Sequence, residues 1–138
     1  MRILGLDIGS KTIGIAVSDP FGWTAQGVMT WQRRDMARDL QAVQKVIAEY
    51  EIEQIVAGLP LNMNGSQGPS VVMSKEFAEA LQKETGLPLD YYDERLSTVA
   101  AQRVLLEGDV SRKKRKGLID KMAAVIILQG YLDRMAKK

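Results

Sequence analysis

Neither cysteine nor histidine occurs anywhere in the 138 residues. The first absence excludes disulfides, thiolate metal sites and cysteine nucleophiles. The second removes the commonest general base and metal ligand, so any acid–base or metal chemistry must rest on Asp, Glu, Lys or Tyr. Aromatic residues make up only 6% of the chain, too few to predict a platform for stacking bases. No apolar run approaches the ~20 residues needed to span a bilayer. The opening "MRILGLDIG" is too short for a signal peptide and has no cleavage region. These absences predict a soluble, cytoplasmic protein with no membrane partner.

What is present suits one domain spanning 1–138. Apolar residues make up 46% of the chain, enough for an ordinary core. The net charge is only +2, but the cations are uneven: "SRKKRK" at 111–116 holds five in six residues. "RILGLD" at 2–7 reads as a strand buried on both faces, because its apolar run is nearly continuous. "TIGIAVS" at 12–18 reads as a second strand, joined through a turn in which Gly9 is free to take positive φ. "DPFG" at 19–22 has the residues of a β-turn leading to a third strand over 23–31. Three strands with short connections predict an antiparallel meander.

The period then changes. Met36, Leu40, Val43 and Ile47 recur at helical spacing, and "QIVAGLP" at 54–60 is a short apolar strand. A polar, glycine-rich loop follows at 61–70. Met73, Phe77, Ala80 and Leu81 mark a second helix, which Gly86 is placed to end. "LPLDYYD" at 87–93 reads as a fifth strand. "STVAAQRVLLEG" predicts a third helix, with Ser97 or Thr98 as N-cap and Gly108 just past its end. The basic run reads as a loop, and 118–135 as a last helix, apolar around most of its circumference and therefore largely buried. The order predicts an α/β fold: a mixed five-stranded sheet, three antiparallel strands and then two parallel ones, flanked by helices.

Three carboxylates sit awkwardly in this layout. Asp7 ends the first strand, and Asp93 and Glu94 lie at the carboxyl end of the fifth, the edge where parallel sheets bind ligands. Asp120 shares a helical face with Ala124, Ile127 and Tyr131, so it is expected to point inward. Each acid also has a plainer reading. Asp7 suits a turn cap, Asp93–Glu94–Arg95 a surface ion cluster, and Asp120 a first helical turn favoured by the dipole. Taken together the plainer readings weaken, since like charges converging on one edge repel unless a cation lies between them. Oxygen-only ligands favour Mg²⁺ or Mn²⁺, one or two ions, with Asp93 as the alternative to Glu94. Carboxylate-held ions of this kind suit attack of water on a phosphodiester. The cations Arg112, Lys113, Lys114, Arg115 and Lys116 then read as phosphate contacts for a nucleic acid, or else as a solvated loop.

"DIGSKTIGIAVSD", "GLPLNMNGSQGP", "DERLSTVAAQ" and "IDKMAAVIILQGYLD" together resemble the YqgF family of nucleases, which is similar to RuvC-type Holliday junction resolvases and has the RNase H-like fold. The resemblance runs essentially end to end. The first motif alone also resembles the opening of actin-like ATPases and sugar kinases, which need two such domains where this chain has length for one. The resemblance implies catalytic acids at Asp7, Glu94 and Asp120. It implies maturation of the 5′ end of pre-16S ribosomal RNA, with Holliday junction resolution as the competing activity. One departure stands out: RuvC-type enzymes carry an acid at the end of the fourth strand, where "GLPLN" offers Pro60 and Asn62.

Lys11 and Arg95 are further candidates for phosphate contact. Gly9, Asn62, Asn64 and Gly65 are expected in loops beside the site. A precursor rRNA substrate is compatible with a monomer. A branched DNA favours a homodimer, here a weak one, because a junction offers symmetric cut sites. A non-catalytic nucleic-acid-binding protein on the same scaffold is the reading from another class.

Overall fold

The computed structural model describes residues 1–96 and 112–136, with side chains in the second stretch described from residue 121 onward. Five strands form one sheet: β1 (Ile3–Ile8), β2 (Thr12–Ser18), β3 (Ala25–Gln32), β4 (Gln54–Leu59) and β5 (Leu89–Asp93). Their spatial order is β3-β2-β1-β4-β5. β1, β2 and β3 pair antiparallel, while β4 runs parallel to β1 and β5 parallel to β4. The meander followed by two parallel strands is the architecture expected from the sequence. β1 and β2 are buried along their whole length, as a central position between two helical layers requires.

Among the described residues three helices cover the sheet: α1 (Met36–Tyr50), α2 (Pro69–Thr85) and α3 (Arg112–Ala136). Asp35 caps α1, its side chain accepting from the Arg38 amide at 2.8 Å. Gly86 ends α2 in the left-handed region, at φ 71°, a conformation that costs glycine nothing. Alternation along each strand sends side chains to opposite faces. Leu4, Leu6 and Ile8 of β1 join Leu40, Val43, Phe77 and Leu81 of α1 and α2 in one core. Ile3 of β1 and Val56 of β4 join Ala123, Ala124, Ile127 and Leu128 of α3 in the other.

Two expectations need correction. Among the described residues those with positive φ are Gly22, Gly65, Gly86 and Glu51, and Gly9 is not one of them. Its requirement is size: its amide donates to the Thr12 carbonyl at 2.9 Å, and an added Cβ would lie 3.1 Å from that oxygen. The basic run 112–116 is not a loop but the opening of α3. Over 121–132 no residue of α3 is exposed, as its apolar circumference predicts. Its fully buried residues recur as pairs, 123–124, 127–128 and 131–132, the stripe that meets the sheet. The helix expected over 97–108, with caps at Ser97 or Thr98 and Gly108, lies outside the described residues.

Candidate active site

Asp7 is the penultimate residue of β1 and is 9% exposed. It has the parity of Ile3 and Gly5, so it belongs to the sheet face that α3 covers. Glu94 follows directly on β5, in a short 3-10 turn over Glu94–Leu96. Because β1, β4 and β5 run parallel, these two acids arrive at one edge of the sheet, and they line one cleft of about 270 Å³ together with Lys11, Thr12, Pro60 and Ser70. The convergence expected of Asp7 and Glu94 is therefore present in the structure.

Gly58 makes room for it. On β4, beside Asp7, a Cβ at this position would meet Ile127 Cδ1 at 2.6 Å and the Glu94 carboxylate at 3.2 Å. A side chain here would have to displace the tip of Ile127 and press on the Glu94 side chain. Glycine inside an apolar strand signals such a close approach, and "IVAGLP" carried that signal. At this point β4 has an opening into which Glu94 of the neighbouring strand's end reaches.

Asp120 lies in α3, and its side chain is outside those described. The helix backbone fixes its level. The Tyr131 hydroxyl donates to Asp90 and accepts from Gln54, which pairs with Ile3 at the start of β1. Ala124 and Leu128 lie over Gly5. Moving along β1 toward Asp7 therefore moves backward along α3, which brings Asp120 within about one turn of the level of Asp7. Among the described side chains there is no group of three that could hold a metal ion; the third expected acid is not one of them. The side chains of Arg112, Lys113, Lys114, Arg115 and Lys116 likewise lie outside the described residues.

Asp93 and Glu94 are adjacent but have separate roles. Asp93 is clamped by Arg95: the Arg95 Nη2 lies 2.7 Å from Oδ2, and the Arg95 amide donates to Oδ1 at 2.9 Å. The Arg95 side chain and backbone bonds hold the Asp93 carboxyl below its usual pKa. The ion cluster read at 93–95 thus exists for Asp93 and Arg95, while Glu94 lies on the cleft side. Arg95 also donates to the Met63 carbonyl at 3.3 Å and packs over Gly65, whose φ is +85°. It ties the 60–68 loop to the end of β5. Within that loop Asn62, Asn64 and Ser66 bond one another. Pro60 reaches the cleft, whereas Asn62, Asn64 and Gly65 do not line it.

Sequence reasoning missed what holds the β1–β2 turn. Asp39, only 1% exposed, accepts from Trp31 Nε1, Arg33 Nε and the Arg34 amide, each at 2.9 Å. Burial pushes its pKa up, but the bonds from Arg34, Trp31 and Arg33 outweigh burial and hold it below the usual range. Arg33, fixed this way and stacked over Phe77, donates to the Gly9 carbonyl at 3.0 Å, and its amide donates to the Lys11 carbonyl at 2.8 Å. The turn that follows Asp7 is therefore pinned from below by a buried ion pair. Nothing in the spacing of Arg33 and Asp39 announces this, since both look like surface charges flanking a helix start.

A family model described as "RuvX: Holliday junction resolvase" matches residues 1–134. Among curated relatives, a protein of Moorella thermoacetica named "Putative pre-16S rRNA nuclease" is 57% identical over 137 residues, covering 99% of this chain and 98% of that one. One of the same name from Clostridium perfringens (strain SM101) is 59% identical, covering 99% and 100%. Among solved structures, Thermus thermophilus RuvC in complex with a Holliday junction superposes with TM-score 0.61 at 15% identity, covering 99% of this chain and 96% of that one. The fowlpox virus Holliday junction resolvase gives 0.54 at 14%, covering both chains fully. At those identities the two structures establish a shared fold. The chain belongs to the RuvX family.

Proposed function

We propose that this member of the RuvX family is a divalent-metal-dependent nuclease that hydrolyses phosphodiester bonds in structured nucleic acid, and that its substrate is the 5′ region of pre-16S ribosomal RNA. The observation that carries the reading is the meeting of Asp7 and Glu94 in one cleft, with Gly58 keeping the space that Glu94 needs. Two carboxylates brought to one cleft favour a cation between them. The donor set is oxygen only, which suits Mg²⁺ or Mn²⁺. Asp7, Glu94 and, by its place in α3, Asp120 would hold the ion. When bound, such an ion lowers the pKa of water and stabilises the leaving oxygen.

The chain's own residues supply the rest. β1 sits at the centre of the sheet and holds Asp7 rigidly, as a ligand for catalysis requires. Lys11, exposed on the cleft rim, offers a positive charge to the scissile phosphate. Ser70, in the first turn of α2, places the positive end of a helix dipole on the same cleft. Arg95 serves this site as the strap on the 60–68 loop. Its guanidinium is already engaged by Asp93, so phosphate contact would come second.

The relatives named for pre-16S rRNA favour the RNA substrate. The family's description and the RuvC fold favour a four-way DNA junction as the alternative. The test is cleavage of a precursor rRNA fragment beside a four-way DNA junction, with Mg²⁺, with Mn²⁺ and with chelator. Asp7→Asn and Glu94→Gln should each lower the rate by at least about 10²-fold, as removal of one transition-state interaction does, with circular dichroism unchanged. Wild-type cleavage persisting in Asp7→Asn would leave a nucleic-acid-binding protein without catalysis. Cleavage of the junction alone, by a dimer, would move the assignment to the resolvase.

A further inference from the structure

A second basic surface begins where the active-site turn ends. Lys11 lies on the cleft, and its carbonyl accepts from the Arg33 amide. The next residue, Arg34, opens a groove of about 770 Å³ between the end of β3 and the outer side of α1. Trp31, Arg34, Arg38, Gln41 and Lys45 line it, and among the described residues no acid does. The spacing of 38, 41 and 45 is that of a single helical stripe on α1, and Arg34, just before the N-cap Asp35, lines the same groove. From Arg38 to Lys45 it runs about 10 Å along α1, away from the edge that holds Asp7.

Each member is set up for a ligand. The Trp31 indole N–H is already taken by Asp39, so what the ring offers the groove is apolar surface. Arg34 is held by its amide on the same carboxylate, which leaves its side chain exposed. Asp35 lies 3.5 Å from Arg38, but both side chains are more than half exposed, so the pair neutralises little. Gln41 adds an amide that can donate and accept. Three cations, an apolar ring and an amide along a path leading out of the cleft match the chemistry of a single nucleic-acid strand, which needs phosphate contacts and a face for a base.

We propose that this stripe, Arg34–Arg38–Lys45 with Trp31, is a track for the single-stranded arm of the substrate whose scissile bond lies in the cleft. The proposal rests on the nuclease reading above and adds where the substrate goes on leaving the site. Substrates with a single-stranded extension should therefore be held better than blunt ones.

The test uses the full chain in the cleavage-deficient Asp7→Asn background, so that binding is read without turnover. The probes are a blunt RNA duplex and the same duplex with a single-stranded extension of about ten nucleotides, within the usual range of strand site sizes. In the parent, the extended duplex should bind more tightly and with a steeper salt dependence. Adding Arg34→Ser and Lys45→Ser, both at exposed positions, should abolish that preference. The slope of log affinity against log salt should fall by roughly 1.4, or 0.7 for each single-strand phosphate that is no longer neutralised. An unchanged preference and slope would overturn the track. So would polyglutamate binding that depends on Arg34 and Lys45 without any preference for the extension, which would assign the stripe to an acidic protein. If the track falls while Asp7→Asn still abolishes cleavage, the nuclease reading stands. If Asp7→Asn cleaves like wild type, that reading falls instead.

Discussion

The two faces of the sheet are packed by different rules. Under α1 and α2 the packing is made by large aliphatic and aromatic side chains: Leu4, Leu6, Ile13, Ile15, Val43, Phe77 and Leu81 are all essentially inaccessible. Under α3 the sheet presents Gly5, Gly27 and Gly58, and the helix answers with Ala123, Ala124 and Gly130. The first face holds the layers apart with side-chain volume. The second brings helix backbone down onto strand backbone, with the Ala124 carbonyl 3.3 Å from where a Cβ on Gly5 would be. Asp7 and the room for Glu94 are both on this second face. Close approach is what lets carboxylates on a strand and on a neighbouring turn share a cleft, so the glycine-lined face is the one that carries the proposed site.

The comparison is broken most directly by removing volume from the first face. Leu81 is fully buried in α2, and Leu81→Ala should cost about 2–5 kcal/mol, transfer and cavity terms together. Urea unfolding should register that loss as a lower midpoint with an unchanged slope. Cleavage per folded molecule should change little, because Leu81 lies more than two turns along α2 from Ser70 and Met73, the α2 residues that line the cleft. A rate loss as large as that of Asp7→Asn at temperatures where Leu81→Ala is folded would erase the division between the faces.

That division also sets what could be read in advance. The large-residue face announces itself: Met36, Leu40, Val43 and Ile47 give the period of α1, and the apolar runs at 3–8 and 54–59 give central strands. Gly86 and the 19–22 turn are local chemistry, legible because the residue and its backbone need are the same position. Asp7 and Glu94 were legible as strand-end acids. What Gly58 does was not, because its partners Ile127 and Glu94 are distant in the chain and only the fold brings them within reach. Gly9 was misread for a related reason. Its constraint is the nearby Thr12 carbonyl and not its own φ, and sequence does not separate the two. The apolar look of the last helix was legible too, since Val125 and Ile126, beside its core stripe, pack against the core as well.

A second test bears on Asp39, a charge buried at the margin of the first face in the service of the second. Removing the charge with Asp39→Asn weakens the bonds from Arg33, Trp31 and Arg34, and bonds to a charged group are worth about 1.5–3 kcal/mol. The pH dependence gives the sign. Because the folded carboxyl has a pKa held below its unfolded value of about 3.9, its contribution is complete above that value and is lost as pH falls through the folded pKa. The stability gap between wild type and Asp39→Asn should be widest near neutrality and should close on acidification. A gap independent of pH would mean that the ion pair is not what pins the turn. Since Arg33 holds the Gly9 carbonyl, the variant should also cleave more slowly at neutral pH. Rescue by Asp39→Glu is not expected, because the longer side chain cannot meet all three donors in the same space.

The smallest expected change in stability gives the sharpest comparison, since it stays within the second face. Gly5→Ala and Gly58→Ala each add one methyl group under α3. On Gly5 the new carbon would meet Leu128 Cβ at 2.7 Å, and on Gly58 it would meet Ile127 Cδ1 at 2.6 Å. Overpacking of this kind costs about 1–3 kcal/mol. Gly58→Ala should be the milder, because Cδ1 is the far end of a flexible side chain, whereas Leu128 Cβ is fixed to the helix backbone. Function should run the other way. The second neighbour of a Cβ on Gly58 is the Glu94 carboxylate, at 3.2 Å, and on Gly5 it is the Ala124 carbonyl. A few tenths of an ångström taken from Glu94 is about the tolerance of a catalytic ligand. Gly58→Ala should therefore lose more cleavage and more Mn²⁺-induced rise in Tm, which reports binding to the native state, while unfolding at a higher midpoint than Gly5→Ala. If the two variants instead lose stability and cleavage in the same order, the opening at Gly58 is ordinary packing, and Glu94 reaches the cleft without its help.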